Sequence, residues 1–507
     1  MNLISNKDLY DLVKSLSKSE KRFLKLNASA TKIPIELISF FNKIETEDVY
    51  SPEHYKIKGN LENLYNFILK SLRLFYADSS ASFVIKDEIT NVLNLFDKAQ
   101  YKQCRKILNK QKQEAYLYER FHFVLELIGL EKMLITIENQ FNIINNTLIN
   151  LIKEEEEVIK KAKNLGEYAL LYSKINLNTR QKNKAKTQQD LDSIASFLNS
   201  PLLKNEKLVY SNKALIIYHH CRSVLFCRCQ DNESRETECQ LLLELMDKYP
   251  KLIEEMPNRY ITTLNNLINI AFEERKFKTC QTRINDLQNK ATYKAFNTTD
   301  LQLKIITNVL NAQLTIHINT GNSIEAEKTV VEIENILKKY QEKINKEEEI
   351  VFDYIIAIMH TYFGNYKKAQ HYITKVLSQG NKMLREDLQS FARIINIGLN
   401  YELNNLKQLN YIILTLKQNK SHQISHFKAE NLILSYFEKL AEIKVDKKEN
   451  EKIIFESFKK DLAEVMKDPH EDNVNYYFEI ESYINSKLTG VKMSELISQK
   501  YKQATLS

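Results

Sequence analysis

A chain of 507 residues is too long for one compact core of ordinary size, so it is either several domains or one elongated array. Only 8 Gly and 6 Pro stand in it, which argues against sheets and Gly-rich catalytic loops, since both need turn residues. With 73 basic and 65 acidic residues the net charge is +8, a balance that permits a nucleic-acid or acidic partner without demanding one.

The first residues, MNLISNKDLYDLVKSL, carry Lys7, Asp8 and Asp11 and no unbroken apolar run, so they do not read as a secretory signal. Short apolar runs such as YIIAIM (354–359) fall far below a membrane span, which predicts a cytoplasmic chain with reduced thiols and no membrane insertion. Residues 1–80 read as four short helices forming a cap. Ser17 and Glu20 fit a capping box ahead of KRFLKL, and Ser51-Pro52-Glu53 fits a second helix start. Leu61, Leu64, Tyr65, Ile68, Leu72 and Phe75 recur at helical spacing.

Lys18, Lys21, Arg22 and Lys25 fall at i, i+3, i+4 and i+7, a basic stripe on one helix. LYDLVKSLSKSEKRFLKL looks loosely like a helix-turn-helix, so the stripe is a candidate nucleic-acid contact. The alternative is a solvated face with Phe23 and Leu24 turned inward. Further on, Glu156–Lys160 and Glu157–Lys161 are oriented for i,i+4 pairs on a long helix. The basic stretch 174–187, with Lys174, Arg180, Lys182, Lys184 and Lys186, reads as a mobile loop.

HHCRSVLFCRC (219–229) gathers His219, His220, Cys221, Cys227 and Cys229, with Cys239 beyond. On a helix His220 and Cys227 share a face but stand two turns apart, about 10 Å, too far for one ion. Thiols buried between packed helices are the better reading. His422 and His426 stand at i,i+4 with no third ligand near them in sequence. No G-x-G-x-x-G, G-x-x-x-x-G-K-[ST] or H-E-x-x-H is present, so no cofactor, no metal and no catalytic residue is expected. Gly380 and Gly490 follow apolar helical runs and fit helix C-caps.

FGNYKKAQHYITKVLSQG (363–380) explains its own spacing. Gly364 suits a tight interhelical turn, Tyr366 wedges between the helices, and Ala369 lets them approach. Ile373, Val376 and Leu377 continue the buried face. The stretch, with VFDYIIAIMHTYF before it, resembles the tetratricopeptide repeat, best over 351–380. It departs from that family in lacking Trp and in reading Ile356-Ala357 where a Leu-Gly step belongs. The register recurs at Tyr101/Cys104/Leu108, Phe277/Cys280/Ile284/Leu287, Gly321/Ala326/Val330 and Leu406/Leu409/Ile413/Leu416. Markers near 277, 323, 366 and 406 lie about 40–46 residues apart, against about 34 in the family.

The resemblance implies an all-α fold: an α-solenoid of antiparallel helix pairs in a right-handed superhelix, with the N-terminal helical cap. The expected segments are 1–80, a helical-repeat segment with long helices at 81–250, tetratricopeptide-like repeats at 251–440, and capping helices at 441–507. In that family the first helix of each pair lines a groove, where polar side chains hold a peptide. The positions that match are Asn265, Asn269, Asn308, Asn311, Tyr354 and Arg393. The expected function is a non-catalytic protein–protein scaffold or adaptor that binds a partner peptide or helix. The alternative is a regulator with an N-terminal nucleic-acid-binding region and a solenoid sensor.

Overall fold

The computed structural model describes the chain except residues 1–3, 32–33, 48–49, 51–60, 79, 138–140, 182–184, 186–187, 342, 380–383, 419–427, 444–447, 469–470, 472–476 and 507. Among the described residues there is no strand, and no helix is long and apolar enough to cross a membrane. The chain divides into two compact units, Met1–Gly166 and Glu167–Ser507.

The first unit opens with four helices: α1 (Asn6–Ser15), α2 (Lys18–Ala30), α3 (Ile35–Thr46) and α4 (Leu61–Phe75). Ser17 and Glu20 form the expected capping box, and Ser5 and Asp8 form a second. Leu9, Val13, Leu24, Phe41, Ile44, Leu64 and Ile68 make their common core. Next come α5 (Ala81–Asp97), α6 (Tyr101–Leu117), α7 (Phe121–Ile137) and the 41-residue α8 (Phe141–Gln181), which carries the chain past the boundary. On α8, Lys160 pairs with Glu157 one turn away, at 2.7 Å, and the Lys161 charge also helps to lower the Glu157 carboxyl.

The second unit continues with α9 (Gln188–Leu198), α10 (Pro201–Lys204), α11 (Asn212–Cys229), α12 (Asn232–Lys248), α13 (Pro250–Glu255), α14 (Pro257–Glu273) and α15 (Phe277–Lys290). There follow α16 (Thr299–Thr320), α17 (Ser323–Lys339), α18 (Lys346–Tyr362), α19 (Tyr366–Leu377), α20 (Glu386–Glu402) and α21 (Leu406–Gln418). The last elements are α22 (Lys428–Ile443), α23 (Lys448–Val465), α24 (Ile480–Thr489) and α25 (Met493–Leu506).

One turn is used again and again. Ala99, Arg275, Gly321, Gly364 and Asn404 all have positive φ, and each stands two residues before a register marker: Tyr101, Phe277, Ser323, Tyr366 and Leu406. At each, two amides close on the finished helix. The Gly364 N–H donates to the Thr361 carbonyl (3.1 Å) and the Asn365 N–H to the His360 carbonyl (2.8 Å). The corresponding pairs run Ala99 to Phe96 with Gln100 to Leu95, and Arg275 to Phe272 with Lys276 to Ala271. Gly321 to Ile318 with Asn322 to His317, and Asn404 to Tyr401 with Asn405 to Asn400, complete the set. This is the Schellman arrangement, which satisfies carbonyls that the helix end leaves open.

The packing after each turn repeats as well. Three residues past the marker stand Cys104, Cys280, Ala326, Ala369 and Leu409, all fully buried. One turn further stand Leu108, Ile284, Val330, Ile373 and Ile413, all buried. Cys104 and Cys280 each turn the thiol to the carbonyl twelve residues back, Val92 and Ile268. The hairpins α5/α6, α14/α15, α16/α17, α18/α19 and α20/α21 are therefore versions of one unit.

A further hairpin, α11/α12, has the same turn at Gln230, whose neighbour Asp231 donates to the Phe226 carbonyl. Arg235 takes the place of the small residue there, 4% exposed and 3.3 Å from Glu273. Gly490 caps α24 with positive φ as expected, whereas Gly380, Ser51-Pro52-Glu53, His422 and His426 lie outside the described residues. The expected loop at 174–187 is corrected over its first half: α8 runs to Gln181, because Tyr168, Leu171 and Ile175 bury one face of it. Lys182, Lys184 and Lys186 lie outside the described residues.

The segment from Tyr477 onward lies against the first helices of the later hairpins. The Tyr354 hydroxyl donates to the Tyr477 carbonyl (2.9 Å), and the Glu479 N–H donates to the Tyr362 hydroxyl (2.9 Å). Tyr477 stacks on Phe391 at 4.3 Å. Further along, the Ser498 hydroxyl donates to the Thr320 carbonyl (3.1 Å) and Tyr501 packs on Phe277.

These packings predict opposite signs at two turns. A Cβ on Gly364 would meet nothing within 4 Å, so Gly364→Ala carries only the left-handed backbone penalty, a loss of about 1–2 kcal/mol. Ala99→Gly relieves the same penalty and gains about 0.5–1 kcal/mol in denaturant titrations. Ala369→Leu overpacks the α18/α19 seam and costs about 1–3 kcal/mol; an unchanged melting temperature would refute the hairpin register.

Burial pushes the Asp353 carboxyl up to about 6, with Lys375, 3.8 Å away, opposing only in part. Because the folded value lies above the unfolded 3.8, this group's contribution is fully present below about pH 4. It is lost as pH rises through about 6. Asp353→Asn therefore raises the melting temperature at pH 7.5, by up to about 3 kcal/mol of stability, and has no such effect at pH 4.

Candidate functional site

Helix α14 starts at Pro257, whose missing N–H costs nothing at a first helical position. Tyr260, Ile261, Leu264, Leu267, Ile268 and Ala271 bury one side of it. Asn258, Thr262, Asn265 and Asn269, at steps of four, three and four, form a polar stripe on another side. Helix α16 repeats the pattern with Lys304, Asn308, Asn311 and Thr315.

The stripes meet at Lys304, whose ammonium donates to Asn258 Oδ1 (3.2 Å) and Thr262 Oγ1 (2.9 Å). Of the eight residues Asn258 is exposed and the other seven are half-buried. Asn311 Oδ1 is buried without a hydrogen-bond partner, a cost of about 1–3 kcal/mol unless something else supplies a donor. The four Asn residues that the sequence singles out thus lie on neighbouring ribbons.

Arg259 stands beside the ribbon, its guanidinium 4.5 Å from the centre of the Tyr172 ring on α8. Tyr172 in turn lies 5.3 Å from the ring of His220, which is 5% exposed and has no partner for Nδ1. Burial, reinforced by Arg259, drives the His220 imidazole well below its usual range, so it is neutral. Burial also lowers Lys304; Glu348 opposes this and Arg259 adds to it. Tyr172 goes the other way. Burial would raise its phenol, but a hydrogen bond from Asn176 and the Arg259 charge outweigh it and bring it down. Neither Arg259 nor Lys304 has a carboxylate within ion-pair distance among the described residues.

Tyr354 and Arg393 do not join this ribbon. Tyr354 is enclosed, 6% exposed, and holds the backbone of Tyr477; Arg393 is half-buried on α20. The residues that the sequence reading missed are Arg259, Lys304, Tyr172, Asn258 and Thr262. The step from Asn258 through Thr262 to Asn265 was available as a signal, but the approach of Arg259 to Tyr172 is purely tertiary.

Around 219–229 the packing is that of a core. His219 Nδ1 lies 2.7 Å from Glu238 Oε2, and Glu238 Oε1 accepts from Arg222. Cys221 and Cys239 are fully buried, and burial pushes the Cys221 thiol up to about 12. In the first unit, Lys18, Lys21, Arg22 and Lys25 line one open depression of about 420 Å³ with Leu26, Ser29 and Glu45. Glu45 pairs with Lys25 at 2.7 Å and approaches Lys21 to 4.0 Å, which neutralises part of the stripe. Leu24 is buried, and Phe23 packs on Phe75. Lys174 is exposed on α8; the side chain of Arg180 lies outside the described residues.

Comparison with known proteins finds no matching family model, no matching curated protein and no matching solved structure.

Proposed function

We propose that the chain is a tetratricopeptide-like α-solenoid, with its hairpins in a right-handed superhelix, that works in the cytoplasm as a non-catalytic scaffold or adaptor. A partner peptide lies along the inner face of α14 and α16. The observation that carries this reading is the double polar ribbon, Asn258–Thr262–Asn265–Asn269 beside Lys304–Asn308–Asn311–Thr315, with a buried acceptor on Asn311 left open. An Asn amide both donates and accepts, so a row of them suits a peptide backbone. The same kind of face already handles a segment of this chain: Tyr354 and Tyr362 bond the backbone at Tyr477 and Glu479.

The test is affinity purification of the tagged full chain followed by binding measurements with the recovered partner. Replacing Asn265, Asn269, Asn308 and Asn311 together by Ala is expected to weaken binding by about tenfold or more, since each amide contact contributes about 0.5–1.5 kcal/mol. Reversing Lys18, Lys21, Arg22 and Lys25 to Glu is expected to leave binding intact. Salt-sensitive retention of nucleic acid, lost in the Glu reversal and kept in the Ala variant, would replace this reading with nucleic-acid regulation through the first unit.

A further inference from the structure

The junction of α8, α14 and α16 holds two cations that form no ion pair among the described residues. Arg259 lies over Tyr172, and Lys304 is held by Asn258 and Thr262, the residues one before and three after Arg259. Both cations are half-buried, and all the partners named are neutral. Glu348, on the first turn of α18, offsets part of the charge but forms no ion pair with Lys304. Two like charges that repel across the junction, partly removed from water and only partly offset by Glu348, are unfavourable in the free protein. Such an arrangement persists where a ligand supplies the missing charge.

A second, independent feature marks the same place. His220 is nineteen-twentieths buried against Tyr172, and its Nδ1 has no partner. The phenol of Tyr172 is lowered there, a hydrogen bond from Asn176 and the Arg259 charge together outweighing burial.

We propose that Arg259, Lys304, Tyr172 and Thr262 bind the phosphate monoester of a phosphorylated peptide, the ionic anchor of the ligand held by the adjoining Asn ribbon. The peptide half of this statement rests on the function proposed above. A monoester is close to a dianion at neutral pH and offers three acceptor oxygens, which matches two cations and two hydroxyls. A single carboxylate, or the monoanionic diester of a nucleic-acid backbone, would leave one cation unbalanced. Arg259 can present two parallel N–H groups to such a group, and Lys304 keeps one donor beyond those given to Asn258 and Thr262.

The experiment follows the melting temperature and the ³¹P resonance of the full chain titrated with inorganic phosphate at constant ionic strength, with acetate as control. Saturable stabilisation by phosphate and none by acetate is expected. Both responses should fall by about tenfold or more in apparent affinity in Arg259→Gln and in Lys304→Gln, and persist when Lys18, Lys21, Arg22 and Lys25 are reversed to Glu. Without ligand, Lys304→Gln is expected to change the melting temperature little, since the lost ammonium contacts to Asn258 and Thr262 are set against relief of the repulsion from Arg259. Absence of a saturable response in the native chain would overturn the site, and so would an equal response to acetate or one untouched in both Gln variants.

A second arm compares phosphoserine alone with a phosphoserine peptide. Tighter binding of the peptide, lost when the four Asn residues become Ala, supports the peptide assignment. Equal binding of the two would overturn that assignment, while the phosphate titration separately judges the anion site.

Discussion

Everything in the repeating part of the molecule hangs on a single backbone event, a residue turned into the left-handed region at the end of a helix. That turn folds the last carbonyls onto two amides and sends the chain back antiparallel in two residues. The next side chain is thereby set to wedge between the helices, and the one three positions later is set at their closest approach. With 8 glycines in the chain, most such turns have to be made by residues with a Cβ. Ala99, Glu119, Gln230, Arg275 and Asn404 all sit at positive φ, at about 1 kcal/mol or more each. Tertiary packing, not local preference, holds them there.

This explains which parts of the fold are legible in sequence. Gly364-x-Tyr366-x-x-Ala369 displays all three roles in favourable residue types, so the hairpin can be read directly. Tyr101 with Cys104 and Phe277 with Cys280 keep two roles of three, and they too fall into register. At α11/α12 the turn residue is Gln230, the following position is Asn232 and the approach position is Arg235. The geometry is unchanged while every local cue is absent, because the Arg235–Glu273 ion pair replaces small-residue packing. The stretch 174–181 fails for the converse reason. Its polar, basic composition suggests a loop, but Ile175 is fully buried and continues the apolar face that Leu171 begins.

The candidate site divides in the same manner. Its Asn residues lie on helices whose periodicity is visible, so their common faces can be written down from spacing alone. The charged part cannot. Tyr172, Arg259 and Lys304 come from three helices far apart in sequence, and their meeting depends on how α8 lies on α14. What makes the junction distinctive is also an absence, the lack among the described residues of a carboxylate within ion-pair distance, and in a chain with 65 acids no sequence pattern announces that. Tyr354 shows the limit of carrying a position over by register. Its helix face is occupied, since residues 477–479 cover it.

The reach of that covering segment sets the order of assembly. Each hairpin closes through partners a few tens of residues apart, and loops of that size form quickly. Tyr354 meets Tyr477 across 123 residues, and Thr320 meets Ser498 across 178. The hairpins can thus form one after another as the chain leaves the ribosome, while the surfaces of α16 and α18 that meet this segment stay open until residues 477–501 have been made. Nascent chains of this protein pass through a stage in which Tyr354, Tyr362 and Phe391 are exposed together. That interval is when the second unit is most open to chaperones and most prone to join a neighbouring copy.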